Sequence, residues 1–274
     1  MFESPGPVRM DANPPARGRR AFTLTELMVV VGLISVLISL LFPVMTKVRV
    51  AANSAKCASN LRQMGLALTM YLGQSNGHAP EYIWNTPSNP NVAWQGYWLG
   101  ILEEQGVSGA SLICPSATEP TGIFVQRGYG NATHCWTGQF ASFGSVVRFS
   151  DVLWREGSYG YNRYLTAGSF GGSATAIAAV RDFSHTPAFL DCVWADAAPL
   201  NGSAEAPETS PPDLTGGQVG PGSPEHWKFL ISRHGRGVNV CMADGSVTWV
   251  PLEETYTLSW KNDWVKYPLS LPGN

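Results

Sequence analysis

The sequence predicts an α+β chain: a long N-terminal helix, membrane-spanning in its first half, packed on a head with an antiparallel β-sheet. Three observations predict it. An apolar run from Phe22 to Phe42 has Glu26 as its only ionisable side chain, an amphipathic stretch follows at helical spacing, and beyond residue 76 short apolar runs alternate with glycines and turn residues.

The apolar run comes first. At ~1.5 Å per helical residue it reaches across roughly the 30 Å hydrocarbon core of a bilayer. Arg19 and Arg20 stand immediately before it, and Pro43 immediately after. An ordinary secretory signal has a shorter apolar core and a cleavage site behind it. A plain signal anchor needs neither the acid nor the proline.

After Pro43, Val44, Val48, Ala51, Ala55, Ala58, Leu61, Met64, Leu68 and Leu72 recur at steps of three and four, opposite a face with Lys47, Arg49, Asn53, Lys56, Asn60, Arg62 and Gln63. This predicts one helix from about Phe22 to Tyr71, bent or locally melted at Pro43, because proline removes a helical hydrogen bond and crowds the preceding turn. The Asn-Gly-His-Ala-Pro stretch at 76–80 ends it. The expected divisions are a leader at 1–21, a transmembrane helix at 22–42, its amphipathic continuation at 43–75 and a head at 76–274.

Within the head, the clearest short pieces are LICPS (112–116), GSYGYN (157–162) and AFLDCVWA (188–195). The segment VNVCMADGSVTWV (238–250) alternates, turns at Asp244-Gly245 and resumes, which predicts a hairpin. Residues 200–225 are rich in Gly, Pro and Ser and read as a flexible surface loop.

Charge gives the orientation. The 274 residues carry 18 Lys and Arg against 20 Asp and Glu, a net −2. Residues 1–21 hold Arg9, Arg17, Arg19 and Arg20 against Glu3 and Asp11, so the remainder is mildly acidic. A basic flank before the span places the N-terminus in the cytoplasm and the head outside. No basic patch suggests nucleic acid.

Glu26 needs a partner, since a charge in a membrane span costs up to ~2.5–3.5 kcal/mol at the centre. A cut between Ala21 and Phe22 would create an amine one helical turn away. The stretch RRAFTLTELMVVV resembles the signal of type IV prepilins and type II secretion pseudopilins. The resemblance implies cleavage before Phe22 by a prepilin peptidase/methyltransferase, N-methylation, and assembly through Glu26 with other pilin or pseudopilin subunits and inner-membrane machinery. Pro43 would let the helix adapt in the filament. Ala21 departs from the family's usual glycine. The implied localisation is the bacterial inner membrane, single-pass, with a cytoplasmic N-terminus and a periplasmic head.

The segment RHGRGVNVCMADG places nine residues between His234 and Asp244-Gly245. It resembles the H-x9-DG segment of pseudopilin-like proteins, at 234–245 here, and CASNLRQMGLALTMYLGQSNGHAP (57–80) resembles another part of that group.

Outside the cytoplasm the five cysteines meet oxidising conditions. Cys192 and Cys241 lie on strand-like runs and form the candidate disulfide, with buried free thiols as the alternative. His234 with Cys241 or Asp244, His134-Cys135 and His226 suggest a nucleophile and base, but no local catalytic signature accompanies them and no enzyme activity is expected. No cofactor is expected, although Asp191, Asp196 and Asp244 are oxygen donors that would suit calcium if their loops met.

Trp84, Trp94, Tyr97 and Trp98 either fill an irregular core or present rings to a polysaccharide or secreted partner. A signal-anchored surface protein with such a binding head is the alternative to a filament subunit.

Overall fold

The computed structural model describes residues 22–80, 97–117, 119–120, 127–140, 153–166, 177, 180–200, 210–220 and 222–272. It divides into two compact units, residues 1–47 and 48–274.

Helix α1 spans Leu24–Gln74. Thr23 and Glu26 close its start as a capping box: the Thr23 N–H donates to Glu26 Oε2 (2.9 Å), and the Glu26 N–H to Thr23 Oγ1 (3.3 Å). Its end is a left-handed cap. Asn76 has φ 54°, and the Gly77 N–H returns to the Leu72 carbonyl at 2.8 Å. The helix runs unbroken through Pro43, so the expected local melting there does not occur. Hydroxyls of Ser39 and Thr46 bond the Val36 and Phe42 carbonyls on either side.

In the first unit, residues 22–47 are exposed and almost wholly apolar. Among the described residues α1 is the one helix long and apolar enough to cross a membrane.

In the second unit the expected inward face of α1 holds from Leu61 onward, where Leu61, Met64 and Leu68 are buried. Earlier it is rotated. Ala51 and Ala55 are exposed, whereas Cys57 and Asn60 are buried. Asn60 can be inside because its amide N–H group donates to the Ile113 carbonyl (3.1 Å) and the Tyr159 hydroxyl (3.2 Å), which lowers the penalty of burying it.

Among the described residues a short helix α2 (Trp98–Glu104) and nine strands follow: β1 (Glu119–Pro120), β2 (Arg127–Gly128), β3 (His134–Phe140), β4 (Leu153–Gly157), β5 (Tyr159–Asn162), β6 (Pro187–Asp191), β7 (Asp196–Ala197), β8 (Gly237–Met242) and β9 (Val247–Pro251). β1 to β4 form a small sheet around β3; the larger sheet has the order β7-β5-β6-β8-β9. Its pairs are antiparallel except β5 with β7. The expected α+β arrangement, a long N-terminal helix with a sheet-bearing head, is therefore observed.

Each face of the larger sheet carries a core. Phe189 and Cys241 belong to the cluster that includes Leu61, Met64, Trp98 and Trp136 from α1, α2 and β3. Their neighbours Leu190 and Val240 belong to a second cluster with Phe229, Tyr256 and Trp260. Alternate side chains thus enter different cores, so β6 and β8 are buried at every position.

The predicted hairpin is β8–β9. The Gly245 N–H donates to the Met242 carbonyl (2.9 Å), Gly245 takes φ 84°, and the strands pair from Cys241↔Val247 onward. This is a type I turn closed by a left-handed glycine. LICPS joins no sheet and forms a 3₁₀ turn (Gly109–Leu112) followed by a tight turn. Of the expected loop, 201–209 and 221 lie outside the described residues. From Leu214 the chain is held: Leu214 is buried, and its carbonyl accepts the Ser232 N–H at 2.7 Å.

Candidate functional site

Two places hold the residues of interest, the start of α1 and a buried cluster in the head. At the start of α1, Phe22 is 77% exposed and Glu26 lies on the same exposed stretch. The Thr23 side chain also donates to Glu26 Oε2 (2.9 Å). Ala21 lies outside the described residues.

In the head, four distant positions meet. Cys57 comes from α1, Cys114 from the turn after the 3₁₀ segment, Asp191 from the end of β6 and His234 from the turn into β8. One donor atom from each lies within 4.8 Å of all the others, and all four residues are buried. The Cys57 thiol donates to Asp191 Oδ1 (3.1 Å). His234 Nε2 lies 3.3 Å from Cys114 Sγ and 3.5 Å from Asp191 Oδ2.

An outer layer holds these four. The Asn239 N–H donates to Asp191 Oδ2 (2.8 Å), the Ser116 N–H to Cys114 Sγ (3.4 Å), and the Tyr159 hydroxyl lies 3.1 Å from Cys57 Sγ. Arg233 Nη1 is 3.5 Å from Asp191 Oδ1 with both side chains fully buried.

The groups perturb one another. Hydrogen bonding from Cys57, helped by His234 and against burial, brings the Cys114 thiol down to about 6. Burial, then Cys114 and Asp191, pushes Cys57 well above the ordinary thiol range. Burial disfavours the His234 imidazolium, but Asp191 and Cys114 outweigh it and raise the group to about 9. Burial likewise opposes ionisation of Asp191, yet His234, Arg233 and the Asn239 N–H together hold it below the usual carboxylate range.

Residues 16–42 match the family model described as the prokaryotic N-terminal methylation motif. The chain carries a prepilin-type methylation motif. With the exposed apolar helix, this motif indicates a pilin-like precursor with an N-terminal anchor, and implies processing by a prepilin peptidase and assembly with pilin-type subunits. No curated protein and no solved structure matches the chain.

The head of this pilin-like precursor corrects several expectations. Cys192 and Cys241 do not pair: β6 and β8 are neighbours as expected, but the two thiols are free and enter opposite cores. The three candidate calcium acids form no group among the described residues. Asp196 Oδ1 instead accepts from Lys228 Nζ (3.1 Å), and Asp244 is an exposed turn residue whose Oδ1 takes the Ser246 N–H (2.9 Å). Only Asp191 sits among metal-type donors, with partners the sequence reading had not joined to it.

His234 does not face Cys241 or Asp244; its two neighbours are Cys114 and Asp191, both through Nε2. In a nucleophile–base–acid relay the imidazole uses one nitrogen for each partner. Here His234 Nδ1 has no hydrogen-bond partner among the described residues, and Cys114 is 0% exposed. His134 bonds Asn131 and Thr133, and His226 packs edge-on against Tyr256.

Trp84 and Trp94 lie outside the described residues. Trp98 is core: it is buried, stacks with Tyr161 and donates to the Ala195 carbonyl at 3.0 Å. Tyr97 is partly buried against the same cluster.

Proposed function

We propose that the chain is a pseudopilin-like structural subunit of a type II secretion or type IV pilus-type filament. It is inserted once in the inner membrane with its head outside, cleaved between Ala21 and Phe22, N-methylated and assembled through α1. The match of residues 16–42 to the methylation motif carries this reading. The exposed surface from Leu27 to Met45, which carries no charged side chain, supports it, since a helix that leaves lipid for a filament needs an outward apolar face.

Assembly, in this reading, exchanges lipid contact for helix contact, and Glu26 sets the axial register. Its carboxylate sits one turn from the new amine at Phe22, and in an apolar bundle an unpaired charge is too costly to leave. The subunit turns over no substrate. The burial of Trp98 weighs against a role for that ring in gripping a polysaccharide.

The test is the intact mass and N-terminal sequence of the protein recovered from its native membrane. Methylated Phe22 as the first residue is expected. A chain that retains residues 1–21 would leave only a membrane anchor and overturn the assembly reading.

A further inference from the structure

We infer that Cys57, Cys114, Asp191 and His234 form a closed, tetrahedral zinc site that clasps α1 to the sheet of the head. Positions 57, 114, 191 and 234 come from a helix, a turn, a strand end and a second turn, and one ligand-type atom from each lies within 4.8 Å of the other three. A hydrogen-bond network distributes contacts among different atoms. Here His234 Nε2 faces both a sulfur and a carboxylate oxygen, as a ligand does when its lone pair and those of its neighbours share one acceptor.

The donor set selects the ion. Two thiolates, one imidazole nitrogen and one carboxylate oxygen are the ligands of structural zinc, which is four-coordinate when the protein supplies every ligand. Calcium takes six to eight oxygens, which this cluster lacks. Magnesium demands an octahedral oxygen shell.

Charge points the same way. With both cysteines as thiolates the ligands carry three negative charges, and Arg233 beside Asp191 supplies one positive. A divalent cation closes the difference.

The outer contacts are those a metal site uses to fix its ligands. The Ser116 N–H points at Cys114 Sγ, the Asn239 N–H at Asp191 Oδ2, and Tyr159 bridges Cys57 to Asn60.

The main competing chemistry is oxidation of the two facing thiols to a Cys57–Cys114 disulfide, with loss of two protons and two electrons to an external oxidant. The experiment separates the two. Full-length protein is extracted from membranes in detergent without chelator, and metal content and a non-reduced peptide map are measured on one sample. Stoichiometric zinc with both thiols released only on denaturation is expected. A Cys57–Cys114 disulfide without zinc overturns the proposal, and so do free thiols without zinc.

Cys114→Ser and His234→Gln should each lose at least nine-tenths of the bound zinc, whereas Cys135→Ser and Cys192→Ser retain it. Because ligand variants risk misfolding, cobalt(II) exchanged into the wild-type chain gives a second readout. Intense visible bands with a sulfur-to-cobalt charge-transfer band are expected. The weak spectrum of a six-coordinate oxygen site would overturn the assignment.

Discussion

Gly65 on α1 lies directly against Cys241 on β8: a methyl group at Gly65 would stand 2.6 Å from Cys241 Sγ. The helix approaches the sheet here with no room for a Cβ. Alanine raises helix propensity by about 1 kcal/mol over glycine, but overpacking a tight core costs about 1–3 kcal/mol, and the thiol is 0% exposed with nowhere to retreat. Gly65→Ala is therefore expected to lower stability by up to about 2 kcal/mol net. Cys241→Ala in the same chain should return much of that, because it removes the clashing sulfur. Thermal unfolding of the two variants checks this, and a Gly65→Ala protein more stable than wild type would show the contact to be loose.

Asp196 anchors a buried ion cluster behind β7. Lys228 Nζ sits 3.1 Å from Asp196 and 2.8 Å from Glu225, and Glu225 in turn lies 3.3 Å from Arg163. Lys228 and Asp196 are almost wholly buried, so removing Asp196 leaves two cations, Lys228 and Arg163, to share the Glu225 carboxylate alone. Asp196→Ala should cost about 3–5 kcal/mol. The paired replacement Asp196→Leu with Lys228→Met should cost much less, because Arg163 and Glu225 still pair and no lone charge remains. Chemical denaturation of both proteins reads the contrast; equal losses would mean that packing, not charge, dominates.

Asp182 supplies a pH dependence. The His185 imidazole and the Ser259 hydroxyl bond its two oxygens at 2.8 and 2.9 Å, and they bring its carboxyl down from 3.8 to about 2. A depressed acid stabilises the fold when ionised. Its contribution is complete above pH 3.8 and is lost as pH falls through about 2. In Asp182→Asn this acid-dependent part should vanish, so wild type and variant converge in stability near pH 2. A gap that stays constant down to that pH would assign the effect to shape instead.

How much of this was legible in the sequence follows from what each signal depends on. The anchor helix, its end at Asn76-Gly77 and the β8–β9 turn at Asp244-Gly245 were legible because periodicity, left-handed caps and turn residues are local. The capping box at Thr23 and Glu26 is local too; the Thr-x-x-Glu spacing carried it, and the reading of Glu26 as a lone charge passed over it. The four-residue cluster was not legible. Its members sit at 57, 114, 191 and 234 with no ligand spacing between any two, so only tertiary folding joins them. The rotation of α1 before Leu61 has the same cause: Cys57 and Asn60 are inside because polar partners wait for them, and a hydrophobic pattern records only apolar burial.

The capping box also allows the two roles of Glu26 to be separated. As a cap, Glu26 accepts hydrogen bonds from the Thr23 N–H and hydroxyl, both at 2.9 Å, and a glutamine carbonyl can accept them equally. As an assembly residue it must supply charge to a neighbouring amine, which glutamine cannot do. Glu26→Gln is therefore expected to keep the helix and membrane insertion but to fail in filament formation as completely as Glu26→Ala. Thr23→Ala weakens the cap by about 0.5–2 kcal/mol while leaving the charge, and should still assemble. Sheared-filament yield against total membrane-bound subunit, measured for the three variants, decides between the roles. Normal filaments from Glu26→Gln would show that the carboxylate serves the start of its own helix and that register is set elsewhere.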